Sequence, residues 1–96
     1  MRRDEALRIL AEHREEIAAF GVKSLAIFGS VARNEAGPDS DVDVLVEFSI
    51  PVGYFKFFDL QEYLETLLGH KVDLVPRDSI KPRLRDRILR EAIDAA

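Results

Sequence analysis

The sequence has no cysteine, only two histidines and no long apolar run. Without cysteine the chain can form no disulfide, no thiolate metal site and no cysteine nucleophile. His13 and His70 have no companion ligands at a zinc-binding spacing, so we expect no zinc site. A helix that spans a bilayer needs about 20 mostly apolar residues, and no segment approaches that length. We therefore expect a cytoplasmic protein with neither a membrane segment nor a signal peptide.

Charge is unevenly distributed along the 96 residues. The net charge is −4, yet residues 77–90 contain six basic and two acidic side chains, and the remainder contains eight basic and sixteen acidic ones. Because affinity for nucleic acid comes mainly from neutralising phosphates, we expect so acidic a chain not to bind nucleic acid directly. The length and the composition, 47% hydrophobic and 33% charged residues, predict a single globular domain over residues 1–96.

The hydrophobic pattern predicts helices and strands that alternate along the chain. Apolar residues recur at helical spacing in some segments and form short extended runs in others, with glycine and proline between them. We predict helices at 4–20 (capped by Asp4), 54–68 and 82–95, a short helical turn at 31–35, and strands at 22–28, 41–48 and 71–75. This order predicts an α+β fold in which helices pack on a small mixed β-sheet.

Three aspartates in two of the predicted strands are candidates for a metal site. Asp41 and Asp43 lie two residues apart on one strand, so their side chains project to the same side with Cα atoms about 7 Å apart. Asp73 lies at the centre of an apolar strand, where an unpaired buried carboxylate is costly. If the two strands are neighbours, the carboxylates meet, and such oxygen ligands suit Mg²⁺ or Mn²⁺. The alternatives are a solvated strand start for the first two and an exposed edge-strand position for Asp73.

A glycine–serine pair ends the first predicted strand. Backbone N–H groups exposed where a strand turns towards a helix form, with the Ser30 hydroxyl, a binding site for phosphate. Gly29 allows the phosphate to approach the backbone without meeting a side chain. Arg33, one turn later, either reaches the same anion or lies in solvent. Gly-Ser is also a common turn, so the pair gains weight only alongside the aspartates.

Two further clusters each allow more than one interpretation. Four of the eight aromatic residues stand at 54, 55, 57 and 58, where one helix face cannot bury them all. They either pack under the Leu45 side of the sheet and around the helix start or form an exposed patch for a partner. Arg83, Arg87 and Arg90 lie near one face of the last predicted helix. They form a solvated face, contact nucleotide phosphates or bind an acidic partner.

The spacing of these motifs resembles that of a known superfamily. Gly29-Ser30, ten intervening residues and Asp41-Val42-Asp43 are similar to the G-S-x10-D-x-D signature of DNA polymerase β-type nucleotidyltransferases. The stretch FGSVARNEAGPDSDVDVLVEF, with the later KVDLV, resembles the minimal nucleotidyltransferase (MNT) family. These are small prokaryotic proteins commonly encoded beside a HEPN-domain partner as a toxin–antitoxin pair. The resemblance covers nearly the whole chain.

The resemblance implies a palm-like nucleotidyltransferase fold and a set of functional residues. Asp41, Asp43 and Asp73 would be catalytic and would bind two Mg²⁺ ions, which Mn²⁺ can replace. Gly29 and Ser30, with Arg33 as a candidate beside them, would hold the triphosphate of ATP. AMP would then pass to a hydroxyl, expected to be a tyrosine, of a HEPN-type toxin that this antitoxin silences. Two alternatives remain: a non-catalytic antitoxin that acts by occlusion, and a small-molecule nucleotidyltransferase, for which 96 residues leave little room.

Overall fold

The computed structural model describes residues 1–95, which form a four-stranded sheet with helices on both faces. The helices are α1 (Arg3–Glu12), α2 (Arg14–Ala18), α3 (Gly29–Ala32), α4 (Tyr54–Leu68) and α5 (Pro82–Glu91), and the strands are β1 (Val22–Phe28), β2 (Val42–Phe48), β3 (Val72–Pro76) and β4 (Ile93–Asp94). A 3₁₀ turn, Arg77–Ser79, follows β3. The strand order is β3-β2-β1-β4, with β2 and β3 parallel and the other pairs antiparallel. The predicted α+β class with a mixed sheet is confirmed.

One face of the sheet carries the larger core. Val42, Val44 and Val46 alternate along β2 and are buried against Leu60 and Leu64 of α4. The same core also receives side chains from the first two helices: Ala6, Leu10 and Ile17. Within residues 1–95 each helix is too short or too polar to cross a bilayer. Because Val42, Val44 and Val46 are buried on this face, the residues between them, including Asp43, must project from the opposite face of the sheet.

The opposite face is covered by α5. Ile88 and Leu89 of this helix pack on a small apolar cluster that includes Ala26, Phe28 and Leu45. Asp43 and Asp73 project to this face, because they alternate with the residues of the larger core. The two aspartates therefore lie on the side of the sheet that α5 partly covers.

The aromatic cluster at the start of α4 is divided between core and surface. Phe57 packs against the larger core, with its ring centroid 6.4 Å from that of Phe48. Tyr54, Phe55 and Phe58 are instead 80%, 89% and 53% exposed. Packing around the helix start is correct for Phe57 alone, and it occurs on the Val44 side of the sheet rather than on the predicted Leu45 side, since Leu45 belongs to the cluster on the opposite face.

The N-terminal helical segment differs from the prediction. It is broken at His13, whose N–H donates to the Leu10 carbonyl three residues back (3.2 Å) and whose Nδ1 lies 2.8 Å from the Ile9 carbonyl oxygen. Asp4 does not cap the first helix. The helix begins at Arg3, and the Arg3 N–H donates to the Asn34 side-chain oxygen at 3.1 Å, a contact that only the folded chain can form.

The last helix is shorter than predicted. It ends at Glu91, and β4 pairs with β1 through Ile93 opposite Ile27 and Asp94 opposite Ala26. The hydrogen bonds of this pairing cover an exposed edge of β1. They favour the extended conformation of residues 93–94 over the helix that their local pattern predicts. Smaller differences concern boundaries: α3 occupies 29–32 rather than 31–35, β2 begins at 42 rather than 41, and β3 occupies 72–76 rather than 71–75.

Candidate functional site

Strand pairing brings the predicted site residues to one end of the sheet. In the parallel pair of β2 and β3, Asp43 lies opposite Asp73, and in the antiparallel pair of β1 and β2 it lies opposite Phe28, the residue before Gly29. Asp41 precedes the first residue of β2. Asp43 is partly buried, whereas Asp41 and Asp73 are exposed. The three carboxylates and the glycine–serine turn thus occupy the same end of the sheet.

The backbone of Gly29 lies against the carboxylate of Asp43. A Cβ atom added at Gly29 would be 2.0 Å from Asp43 Oδ2, far closer than any real Cβ contact. Gly29 also has φ +71°, a left-handed backbone conformation that residues other than glycine rarely adopt. Both facts require glycine here, and together they place the turn that begins α3 beside Asp43.

A cleft of about 340 Å³ opens beside this contact. Its walls come from the end of β1, from α3, from β2 and from α5: Phe28, Gly29, Ser30, Arg33, Asp43, Leu84, Arg87, Ile88 and Glu91. Asp41 lines a separate depression of about 370 Å³, together with Ser40, His70 and Lys71. Asp43 is therefore the aspartate that faces the same space as the glycine–serine turn.

Negative charge accumulates around Asp43. Burial, followed by the negative charges of Asp73 and Asp41, raises the pKa of the Asp43 carboxyl from 3.8 to about 6, although nearby Arg33 lowers it. Among residues 1–95, no three His, Asp or Glu side chains are already gathered around a common point for a metal ion. Mutual repulsion keeps the carboxylates of the three aspartates apart, and a divalent cation bound between them would offset that repulsion. The donor set, carboxylate oxygens alone, suits Mg²⁺.

Arg33, the candidate phosphate ligand, is engaged in ion pairs. Its guanidinium donates to Glu35 Oε1 at 3.0 Å and also to Glu91 Oε1. These hydrogen bonds raise the pKa of the Arg33 guanidinium. The side chain borders the cleft as the sequence predicts, but it reaches an incoming anion only if it exchanges at least one carboxylate partner.

The sequence patterns do not predict the wall that α5 contributes to this cleft. Contact with nucleotide phosphates is one of three interpretations that the sequence allows for Arg87, and no motif of the sequence points to Glu91, yet both residues line the cleft. Their positions depend on the packing of α5 over Phe28 and on the pairing of β4 with β1. No local pattern within residues 82–91 encodes those contacts. The helical spacing of Arg87 and Glu91, one turn apart, shows only that they share a face.

The raised pKa of Asp43 predicts a pH-dependent loss of stability. Because the folded chain holds this proton more tightly than the unfolded chain, the contribution of Asp43 is complete below pH 3.8 and is lost as the pH rises through about 6. Denaturant unfolding at a series of pH values measures this effect in the wild type and in Asp43→Asn. Between about pH 4 and about pH 7, we expect the free energy of unfolding of the wild type to fall by about 1 to 2 kcal/mol relative to that of the variant. This value allows for screening by solvent. Parallel curves would contradict the assignment.

Comparison with known proteins identifies the family to which the chain is similar. The family model described as "Nucleotidyltransferase domain" matches residues 7–95. The chain is 45% identical over 91 residues to the protein adenylyltransferase MntA of Thermococcus cleftensis, an alignment that covers 94% of this chain and 92% of the relative.

Two solved structures have a similar fold. A protein described as a minimal nucleotidyltransferase is 39% identical, with a TM-score of 0.83 and coverage of 97% of this chain and 95% of the other. A chain in the complex of the tri-AMPylated HEPN toxin of Shewanella oneidensis with an MNT antitoxin is 16% identical, with a TM-score of 0.67 and coverage of 94% and 71%. At that identity the second likeness concerns the fold alone.

Proposed function

The chain belongs to the nucleotidyltransferase domain family, and we propose that it transfers AMP from ATP to a hydroxyl of a HEPN-type toxin and thereby acts as an antitoxin. The observation that carries the proposal is the pairing of Asp43 with Asp73 beside Gly29. The adenylyltransferase relative supports AMP as the transferred group. The similar chain in a complex with an AMPylated HEPN toxin supports the class of partner.

The proposed reaction is a displacement at the α-phosphorus of ATP. The acceptor hydroxyl oxygen, expected to belong to a tyrosine, forms a bond to this phosphorus as the bond to the bridging oxygen breaks, and pyrophosphate leaves. Asp73 orients the hydroxyl and takes its proton. Gly29 and Ser30 hold the phosphates against the sheet end, so the protein contributes mainly position and charge.

Asp41, Asp43 and Asp73 are the residues that would hold Mg²⁺, with two ions expected and Mn²⁺ as a substitute. The repulsion that acts on Asp43 from its two neighbours supports this assignment, because a divalent cation would offset it. When bound, the metal supplies charge that stabilises the phosphate oxygens during transfer.

The surface at the start of α4 supports a protein as the acceptor. Tyr54, Phe55 and Phe58 are all more than half exposed, and the rings of Tyr54 and Phe58 stack with centroids 5.9 Å apart. Exposed aromatic clusters of this kind are typical of surfaces that contact other proteins. A small-molecule acceptor gives no reason for such a surface.

Mass spectrometry of the partner tests the proposal. The chain is incubated with the proposed HEPN-type toxin, ATP and Mg²⁺, and the toxin should gain the mass of one or more AMP groups. Asp73→Asn should slow this transfer about 100-fold or more, because a group that removes a proton during the reaction is lost. Its affinity for an ATP analogue should stay within about 3-fold, since Asp73 acts on the acceptor.

Asp4→Asn is the matched control, because Asp4 is an exposed aspartate of α1 that lies outside both the site and the aromatic surface of α4. It should modify the toxin at the wild-type rate. Full inhibition of the toxin without any gain in mass would instead establish occlusion as the antitoxin mechanism. Wild-type transfer by Asp73→Asn would show that Asp73 has no role in the chemistry.

A further inference from the structure

The helix α5 supplies the wall of the cleft that faces the glycine–serine turn. The cleft is bounded on one side by Gly29, Ser30 and Asp43 and on the other by one side of α5: Leu84, Arg87, Ile88 and Glu91. A ligand that occupies the space beside Asp43 is therefore also in contact with α5. The basic residue of this wall is Arg87.

The position of α5 is fixed at both ends. Before the helix, Ile80 is buried in the apolar cluster formed with Ala26 and Phe28. After the helix, β4 pairs with β1, and the Ala95 N–H donates to the Leu25 carbonyl at 2.8 Å. Arg87 therefore borders the cleft on a helix that is anchored at both ends to the strand preceding Gly29.

The two guanidinium groups of the cleft differ in their partners. Arg33 is bound to Glu35 and Glu91, so much of its charge is already balanced. Within the described residues, 1–95, Arg87 forms no ion pair. A guanidinium that is balanced by no carboxylate and that faces a cleft is a site for an anion, and its planar donors match phosphate oxygens in pairs.

We propose that Arg87 binds the terminal phosphates of the nucleotide and thereby favours a nucleoside triphosphate over a monophosphate. The inference rests on the proposed function, which places the α-phosphate beside Asp43. From that point the cleft leads towards α5, so the phosphates that leave as pyrophosphate meet Arg87. Glu91, one helical turn further on, holds Arg33 at the other side of the same space.

Calorimetric titration of nucleotides into the folded chain tests the role of Arg87. Arg87→Gln should weaken the binding of a non-hydrolysable ATP analogue about 10- to 100-fold, the effect of losing a charge-assisted pair of hydrogen bonds. Its affinity for AMP should change less than about 3-fold, because AMP lacks the terminal phosphates. Arg87→Lys, which keeps the charge but not the planar donors, should fall between the wild type and Arg87→Gln.

Arg85→Gln is the matched control. Arg85 is an exposed residue of the same helix, two positions earlier and roughly 200° around the helix axis from Arg87. It should bind both nucleotides as the wild type does, and circular dichroism should show equal helix content in the two variants.

Four results would overturn the inference. If Arg87→Gln binds the ATP analogue as tightly as Arg85→Gln, or loses ATP and AMP affinity equally, Arg87 does not bind the terminal phosphates. If the same variant loses affinity for the toxin and keeps its affinity for ATP, the arginine belongs to the partner interface. In each of these cases the proposed function stands. A wild-type chain that binds no ATP analogue would overturn the proposed function and this inference together.

Discussion

Asp43→Asn is expected to abolish nucleotidyl transfer and, at the same time, to stabilise the folded chain. Transfer is lost because the amide no longer supplies the negative oxygen that would hold Mg²⁺ beside the phosphates, an effect of at least about 100-fold for a single electrostatic group. Stability rises because the ionised Asp43 is unfavourable in its partly buried position between Asp41 and Asp73. A residue that lowers stability while it serves the reaction is typical of functional sites.

The size of the stabilisation follows from the pKa of Asp43. Converting the rise in pKa from 3.8 to about 6 gives about 3 kcal/mol for a fully buried group. Since the side chain is only partly buried and solvent screens its neighbours, we expect about 1 to 2 kcal/mol at about pH 7. Denaturant unfolding measures this value, and the mass assay of the toxin measures transfer.

Asp41→Asn provides the matched comparison for Asp43→Asn. Asp41 is exposed and lies outside the strand, so its replacement should abolish transfer with little change in the free energy of unfolding. Retained transfer in either variant would rule out the metal-binding assignment of that residue. A loss of stability in Asp43→Asn would show instead that hydrogen bonding of the carboxylate, rather than charge repulsion, determines its energy.

Gly29→Ala is expected to damage both folding and transfer. The new Cβ would overlap Asp43 Oδ2, at 2.0 Å, and the residue would have to keep its left-handed φ of +71°. The left-handed conformation costs about 1 to 2 kcal/mol, and relief of the overlap by movement of α3 or Asp43 adds a similar amount. We therefore expect a loss of about 3 kcal/mol in the free energy of unfolding. A displacement of about 1 Å at the site should reduce transfer about 100-fold.

The chain contains its own controls for this substitution. Gly21 and Gly69 have φ of +84° and +70°, close to that of Gly29, yet a Cβ at either position meets nothing within 4 Å. Gly21→Ala and Gly69→Ala should therefore show the cost of the backbone conformation alone, about 1 to 2 kcal/mol, with transfer unchanged. If Gly29→Ala resembles these two variants in both assays, the contact with Asp43 has no functional importance.

The local sequence was sufficient to predict most of the elements around the site. The apolar alternation of residues 42–48 and the run at 22–28 each form the predicted strand, and α4 occupies 54–68 as its apolar spacing and Gly69 indicate. The order of these elements also led to the correct fold class. Such features depend on side-chain periodicity and on turn-forming residues, which act over a few neighbouring positions.

Two of the predictions that were wrong share a dependence on distant contacts. The cap of α1 comes from Asn34 rather than Asp4, and residues 93–94 leave the helical pattern to pair with β1. In both cases the hydrogen-bond partner is more than 30 residues away in the chain, so the local helix or strand preference of the segment does not predict the bond. The break at His13 is different in kind, because its hydrogen bonds, to Leu10 and Ile9, are local, and helices on both sides of it contribute side chains to the core.

The amino-acid sequence alone determined that the chain carries Gly29-Ser30, Asp41 and Asp43 at the spacing of a nucleotidyltransferase, because that motif lies within one strand–turn–strand segment. Only the tertiary structure decided that Asp73 lies opposite Asp43 and that Gly29 lies against the Asp43 carboxylate. It also decided that Arg87 lines the cleft beside Asp43. The physical reason is that strand register and helix packing are set by the burial of apolar faces far apart in the chain, and no short segment contains that information.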